Sequence, residues 1–294
     1  MAIVWVGGGW VLLNALAALV TSAWHRAWCR TVPWTARGLL PSAAPIEAGA
    51  GETAVLLVHG FNDVPYVWRR FVDALAEKGC HCRAMRLPGA GAADCRPTLE
   101  DWRQAVDGEL KALRKTHRRV VLVGHSLGGA LSLDAVLRAE GVAGGTLPDK
   151  LLLLAPLIEV SRARSPVLSP LAWYRILRIL LPALRWVPSV FKEWLQAEDD
   201  PAFSYRRDRF NEIGWYRALF ALVADLRRAA GRRLPVQTVV YVAGGDRVVD
   251  SAATRRWFAD ETNSTLVEWS GASHVIPLNE RWREIAATMT RPAD

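Results

Sequence analysis

Residues 120–129 read VVLVGHSLGG, and they carry more information about the fold than any other segment of the chain. The β-branched and Leu residues predict a strand over Val120–Val123, and a helix is predicted over Leu127–Ala139. Between them, Gly124–Gly128 is a G-x-S-x-G motif. Its glycines let a strand and a helix meet in a tight turn, where a Cβ would clash. We therefore predict a nucleophile elbow that holds the Ser126 hydroxyl at the sheet edge.

Short apolar runs alternate with helical patterns on both sides of this segment. Six strands are predicted, at residues 53–58, 82–87, 120–123, 151–155, 236–243 and 265–269. The main helices predicted among them cover residues 66–77, 99–116, 127–139, 252–260 and 281–290. This alternation is typical of an α/β protein with a mostly parallel, doubly wound sheet.

Residues 157–235 interrupt the alternation with several prolines and short helical patterns. We predict an α/β core of residues 51–156 and 236–294, with 157–235 inserted before the last strands as a helical cap or lid. An insertion at the carboxyl end of a parallel sheet overhangs the edge where such sheets bind ligands. A small helical domain with no part in catalysis is the alternative.

The composition excludes several classes of protein. With 294 residues, of which 51% are hydrophobic, the chain is too long and too apolar for a disordered tail or a disulfide-stapled miniprotein. The net charge of +8 is concentrated in the insertion, which has 14 basic and 8 acidic residues and also contains Trp173, Trp186, Trp194 and Trp215. This combination of basic residues and tryptophans favours an apolar, lipid-like interface, and no nucleic-acid partner is expected. The four cysteines have no recognisable zinc spacing, and no metal is expected.

The N-terminus predicts a membrane anchor. No residue between Ala2 and Trp24 is charged. A helix of that length would span roughly 34 Å, which exceeds the ~30 Å hydrocarbon core of a bilayer. We predict an anchor helix in residues 1–30 and a linker in residues 31–50. Membrane lipid is then the partner of this helix, and the basic insertion is a further candidate for lipid contact. A cleaved signal peptide and a shallow interfacial segment are the alternatives.

The charges after this segment predict its orientation. Arg26, Arg30 and Arg37 follow the apolar run, and no basic residue precedes it. The positive-inside rule then places the rest of the chain on the cytoplasmic side. The expected location is a single-pass anchor in a bacterial inner membrane.

A serine nucleophile needs a base, and the base needs an acid to orient it. Among the six histidines, His274 is the best candidate for the base, because it lies in the loop after the last predicted strand. The acid is expected between Ser126 and His274 in the chain, at the end of a strand. Asp246 follows the strand at 236–243, whereas Asp250 is better placed to cap the next helix. The predicted catalytic set is Ser126, Asp246 and His274.

A tetrahedral oxyanion needs two backbone N–H donors. The amide of Leu127 is one candidate, because it opens the helix after Ser126. The other is expected in the loop His59-Gly60-Phe61-Asn62, which follows the strand at 53–58. Gly60 permits close approach of the backbone, and Phe61 would supply its amide while its ring lines the acyl site.

These motifs together resemble the α/β-hydrolase superfamily. The resemblance covers roughly residues 52–290 and is weakest in the insertion, which corresponds to that family's lid. It is carried by LLVHGF at 56–61, the motif at 124–129, and the pair Asp246 and His274.

Within the superfamily, the chain is similar to bacterial carboxylesterases and monoacylglycerol lipases. The shared features are the H-G-F loop, Asp101-Trp102, Gly-Asp-x-Val-Val at 245–249 and Ser-His-Val-Ile at 273–276. One position departs from the pattern: Ala90, in the segment LPGAG at 87–91, stands where relatives commonly carry His. That position lies outside the triad and bears on substrate details.

The resemblance implies a serine hydrolase that cleaves carboxylic esters of hydrophobic acyl chains through an acyl-enzyme, with no cofactor. Two alternatives use the same triad: a thioesterase or acyltransferase, and a triacylglycerol lipase. A third is a non-catalytic scaffold of the same fold that binds membrane or a protein. The Ser, Asp and His residues in the expected chain order argue against the scaffold. Acyl length, head group and oligomeric state do not follow from the sequence.

Overall fold

A seven-stranded sheet lies at the centre of the computed structural model, which describes residues 2–93, 95–163, 165, 167–190 and 192–291. Side chains are described from residue 8 onwards, and the outer ends of two predicted ranges, Met1 and 292–294, lie outside the described residues. The strands in chain order are β1 (Ile46–Ala48), β2 (Thr53–Val58), β3 (His81–Met85), β4 (Arg119–His125), β5 (Lys150–Leu154), β6 (Trp186–Pro188), β7 (Trp194–Gln196), β8 (Ser204–Arg206), β9 (Phe210–Glu212), β10 (Gln237–Ala243) and β11 (Ser264–Trp269).

Helices cover both faces of the sheet and the insertion. In chain order they are α1 (Ala2–Cys29), α2 (Arg69–Ala76), α3 (Leu99–Thr116), α4 (Leu127–Ala139), α5 (Pro170–Leu180), α6 (Ile213–Arg228), α7 (Ser251–Phe258) and α8 (Trp282–Thr290). Short 3₁₀ turns occur at Pro41–Ala43, Pro65–Trp68 and Ile276–Leu278.

The strand order across the central sheet is β1-β3-β2-β4-β5-β10-β11, and only the pair β1 and β3 is antiparallel. The six parallel strands match the six predicted ones, with ends that agree within two residues. The prediction of an α/β fold with a mostly parallel sheet is therefore confirmed. The antiparallel edge strand β1 has no counterpart among the predicted strands, because a three-residue segment gives no readable alternation.

Helix α3 shows how the local sequence builds these layers. Thr98 and Asp101 form a capping box, in which the Thr98 hydroxyl accepts from the Asp101 amide and the Asp101 carboxylate accepts from the Thr98 amide. Each large apolar side chain that is buried stabilises the fold by about 1.5–3 kcal/mol. The buried residues of α3 recur at helical spacing, which gives the helix one apolar face: Trp102, Val106, Leu110 and Leu113.

The segment 157–235, predicted to be helical, lies between β5 and β10 in the chain and contains strands as well as helices. Besides α5 and α6 it contains two small antiparallel pairs, β6 with β9 and β7 with β8. Aromatic and β-branched residues in these short segments favour strand pairing. Arg103 on α3 pairs with Asp134 on α4 at 2.8 Å and with Asp225 on α6 at 2.7 Å, so charge pairs attach the insertion to the core.

The predicted membrane anchor is wrong. In the part of the chain that the structure describes, no helix is long enough and apolar enough to cross a membrane. Asn14 lies inside the predicted span, and its side-chain amide donates to a backbone carbonyl of α5, 3.0 Å away. Further along α1, the His25 ring stacks on Trp186 with centroids 3.6 Å apart, and Trp28 Nε1 donates to Glu193 at 2.9 Å. The helix thus contacts the insertion at Asn14, within the predicted span, and again at His25 and Trp28.

Two other predictions depended on the anchor. The expected location, a single-pass anchor in a bacterial inner membrane with the rest of the chain on the cytoplasmic side, is wrong for the same reason. The lipid contact predicted for this helix loses its basis as well.

Candidate active site

The turn between β4 and α4 can form only with glycine on either side of Ser126. A Cβ on Gly124 would lie 2.3 Å from the Gly128 carbonyl oxygen, and a Cβ on Gly128 would lie 2.2 Å from the Val58 carbonyl oxygen. Ser126 itself has φ 53° and ψ −115°, a strained conformation for a residue with a side chain. The sharp turn places this serine at the carboxyl end of a central strand and directly before the first residue of α4.

Three side chains that are distant in the chain form one hydrogen-bonded row. The Ser126 hydroxyl lies 3.0 Å from His274 Nε2, and His274 Nδ1 lies 2.7 Å from Asp246 Oδ2. A carboxylate can only accept a hydrogen bond, so Nδ1 carries the imidazole proton and the Nε2 lone pair faces the serine hydroxyl. In this arrangement the imidazole can take the proton of Ser126.

The surroundings of Asp246 keep its carboxyl group ionised. Its side chain has no exposed surface, and its Oδ1 accepts hydrogen bonds from the amides of Val248 at 2.8 Å and Val249 at 2.9 Å. Burial alone would raise the pKa of Asp246. The hydrogen bond and charge of His274, together with the two amides, outweigh burial and lower that pKa. Asp246 can therefore orient His274 and stabilise its protonated form.

The loop after β2 lies directly against the serine. A Cβ on Gly60 would be 3.2 Å from Ser126 Cβ and 3.1 Å from His125 Nδ1, so glycine allows the closest approach here. Next to it, the amide of Phe61 donates no hydrogen bond within the described part of the chain, and neither does that of Leu127 at the start of α4. Both predicted oxyanion donors are thus available to a ligand.

Two buried histidines near Ser126 hold loops in place. His125 Nε2 donates to the His274 carbonyl oxygen at 3.0 Å. His59 Nδ1 donates to the Gly60 carbonyl oxygen at 2.9 Å. Burial lowers the pKa of His125 to about 3 and that of His59 to about 4, so both are neutral at pH 7. The chain offers no local signal for these contacts, because they depend on how separate loops meet.

Among the described residues, no group of three or more His, Cys, Asp or Glu side chains could hold a metal ion.

A pocket of about 1090 Å³ opens onto Ser126 and His274, and Phe61 is among the residues that line it. This volume lies slightly above the usual range for small-molecule sites, roughly 300–1,000 Å³. The insertion supplies most of the large apolar side chains that line it, including Trp173, Tyr174, Leu177, Leu219 and Phe220. Ser126 and His274 thus face a space that can hold a long apolar group.

Comparison with known proteins identifies the group to which this architecture is similar. The profile of the Alpha/beta hydrolase family matches residues 55–288. The chain is 24% identical over 250 residues to phospholipase YtpA of Bacillus subtilis (strain 168), covering 81% of this chain and 93% of the relative. It is 35% identical over 98 residues to the thermostable monoacylglycerol lipase of Bacillus sp. (strain H-257), covering 32% of this chain and 39% of that relative.

Solved structures show the same fold. The monoacylglycerol lipase of Paleococcus ferrophilus superposes with a TM-score of 0.65 at 19% sequence identity. The superposition covers 84% of this chain and 97% of the other.

Proposed function

The chain belongs to the alpha/beta hydrolase family and is a carboxylic ester hydrolase, and we propose that Ser126, His274 and Asp246 are its catalytic triad. Its substrates are esters of hydrophobic acyl chains, cleaved through an acyl-enzyme. One observation carries the proposal: the continuous row from Ser126 Oγ through His274 to Asp246, with distances of 3.0 and 2.7 Å. This row has the hydrogen bonds that activate a serine hydroxyl at neutral pH.

The first half of the reaction forms the acyl-enzyme. Ser126 Oγ attacks the ester carbonyl carbon while its proton passes to His274 Nε2. The buried carboxylate of Asp246 stabilises the imidazolium that results. The negative charge on the carbonyl oxygen is stabilised by the amides of Phe61 and Leu127, and removal of one such donor costs about 10²–10³ in rate in other enzymes. His274 then protonates the leaving alcohol as the C–O bond breaks.

The second half releases the acid. A water molecule gives its proton to His274 and attacks the acyl carbonyl carbon. The resulting oxyanion accepts hydrogen bonds from the same two amides, those of Phe61 and Leu127. When the tetrahedral intermediate collapses, the bond to Ser126 Oγ breaks and the serine regains its proton from His274. The enzyme is then ready for another substrate.

The pocket supports a long acyl chain, with the insertion as its cap. Apolar side chains of α5 and α6 line the space beside Ser126, and removing apolar surface from water gains roughly 25 cal/mol per Å². Relatives described as a phospholipase and a monoacylglycerol lipase support acyl esters of glycerol lipids as the substrate class. In this proposal residues 157–235 act as the lid, since they supply the acyl-binding wall and lie over the serine.

A substrate panel with the variants Ser126→Ala and Asp246→Asn tests the proposal. p-Nitrophenyl esters from acetate to palmitate, monoacylglycerols, triacylglycerols and acyl thioesters separate esterase, lipase and thioesterase activity. Ser126→Ala should lose all cleavage, and Asp246→Asn should lower kcat by about 10⁴. The control is Ser264→Ala, at the start of β11, which should keep full activity. Ester cleavage that persists in Ser126→Ala would refute the proposal.

A further inference from the structure

Charged side chains line the pocket together with the apolar ones. Three of them are cations, namely Lys192, Arg207 and Arg247. Among the described residues that line the pocket, Asp63 is the only acid. A cleft lined mainly by one sign of charge attracts ligands of the opposite sign. An acyl chain needs none of these cations.

The carboxyl group of Asp63 already has two protein partners. It accepts hydrogen bonds from the Tyr205 hydroxyl at 2.9 Å and from the Val64 amide at 2.8 Å. Burial raises the pKa of Asp63, against an opposing effect of Arg207. Among the described side chains that line the pocket, cations therefore outnumber acids by three to one.

The side chain of Arg207 contacts the backbone of Lys192 beside the oxyanion loop. Arg207 is 6% exposed, and its Nε donates to the Lys192 carbonyl oxygen at 2.9 Å. Its Nη1 donates to the carbonyl oxygen of Asn62 at 3.4 Å, and Asn62 follows Phe61 directly. The side chain of Lys192 is exposed, and no ion pair between described residues involves it. We call Lys192 and Arg207 the cationic patch.

The position of the cationic patch favours contact with the alcohol part of the ester over contact with the acyl chain. The acyl chain is assigned to the apolar wall of α5 and α6, whereas the patch is fixed to the loop that bears the Phe61 amide. A head group that leaves the acyl wall can therefore reach it. Phosphate suits this patch, because Lys192 offers a compact charge with rotatable N–H donors and the Arg207 guanidinium adds positive charge.

We infer that the cationic patch binds a phosphate group in the head group of the substrate. The preferred substrates are then acyl esters of glycerol phosphate, that is, lysophospholipids, and neutral monoacylglycerols are cleaved less efficiently. This inference rests on the proposed function, because it assigns the head group of the ester that Ser126 cleaves.

Lys192 is the side chain to change, since Arg207 is buried and holds two loops together. Release of fatty acid is measured from 1-acylglycerol and from 1-acylglycerol 3-phosphate with the same acyl chain. Wild type should favour the phosphate ester in kcat/KM, and Lys192→Gln should reduce that preference by about tenfold through KM. Lys192→Glu should reduce it further, and in both variants the kcat/KM of the neutral ester should fall by a smaller factor than that of the phosphate ester. Lys111→Gln, an exposed lysine on α3 outside the pocket, is the matched control.

Two results would overturn the inference while leaving the triad intact. One is equal kcat/KM for the two esters in wild type. The other is a preference that Lys192→Gln and Lys192→Glu change no more than Lys111→Gln does. If wild type cleaves no ester at all, the proposed function fails, and the head-group assignment fails with it.

A competition assay separates a bound head group from a free anion. Glycerol 3-phosphate should inhibit cleavage of the neutral ester at lower concentration than inorganic phosphate. Lys192→Glu should weaken that inhibition. Equal inhibition by the two anions would contradict the head-group assignment.

Discussion

His125 and His274 are joined by a hydrogen bond of 3.0 Å from the Nε2 of one to the backbone carbonyl oxygen of the other. The residue next to the proposed nucleophile thus holds the loop of the proposed base. Their rings lie 5.0 Å apart, and the His125 ring is buried and neutral. Because His125 acts through the backbone of His274, we regard it as a positioning residue.

Replacing His125 should disturb catalysis more than binding. His125→Leu removes the donor, and we expect kcat to fall about tenfold or more, because small displacements of catalytic groups are costly. KM should change little. His125→Gln, which keeps an N–H donor at similar reach, should recover part of kcat. Steady-state kinetics on a p-nitrophenyl ester measure both parameters. Equal kcat values in wild type and His125→Leu would show that the contact does not position the base.

The glycines of the elbow should tolerate no side chain. In Gly128→Ala the added Cβ would meet the Val58 carbonyl oxygen at 2.2 Å, so the strand or the turn must shift. We expect the free energy of unfolding to fall by about 1–3 kcal/mol and the activity to be lost. Denaturant unfolding and an esterase assay measure the two effects.

Gly108, on the exposed face of α3, is the matched control. A Cβ there meets nothing within 4 Å, and alanine should stabilise the helix by roughly 0.5–1 kcal/mol. If Gly128→Ala unfolds at the same denaturant concentration as Gly108→Ala, the steric account of the elbow is wrong.

These contrasts indicate how much of the molecule can be predicted from its sequence. The six parallel strands and the elbow are predictable because their signals are local: apolar runs, and glycines that sterics require. The hydrogen bond of His125, by contrast, has no local signal in the sequence, because its acceptor lies in a loop 149 residues away in the chain. The paired strands of the insertion are only three residues long, too short for a periodic signal.

The N-terminal helix illustrates a different limit. An uncharged apolar run has the same pattern whether lipid or protein covers it. Here His25 and Trp28 pack on the insertion, which no feature of residues 1–30 could indicate. The length of the run and its lack of charge therefore led to the wrong prediction of an anchor.

The contact between Asp208 and Gly91 predicts a pH-dependent stability. Asp208 lies in the insertion, is 4% exposed, and accepts a hydrogen bond from the Gly91 amide of the core at 2.8 Å. Burial raises its pKa from 3.8 to about 7, against the opposing effects of that amide, Arg207 and Arg86. The folded pKa exceeds the unfolded one, so folding takes up a proton between these values. The contribution of Asp208 to stability is complete below about pH 4 and is lost as pH rises through about 7.

Asp208→Asn should remove this dependence while keeping an acceptor for the Gly91 amide. The difference in melting temperature, variant minus wild type, should become more positive between pH 5 and pH 8. Thermal unfolding at four pH values in that range measures it. Asp73→Asn, at an exposed position on α2, is the control. A difference that stays constant from pH 5 to pH 8 would contradict the assignment.

Covalent labelling tests the central claim, that Ser126 is the nucleophile. The protein is treated with a fluorophosphonate, and the modified residue is located by peptide mass spectrometry while ester cleavage is followed in the same sample. We predict one adduct per chain, on Ser126, that forms in step with loss of activity and is absent from Ser126→Ala. Full activity after complete labelling of Ser126, or inactivation with the adduct on another residue, would contradict the account.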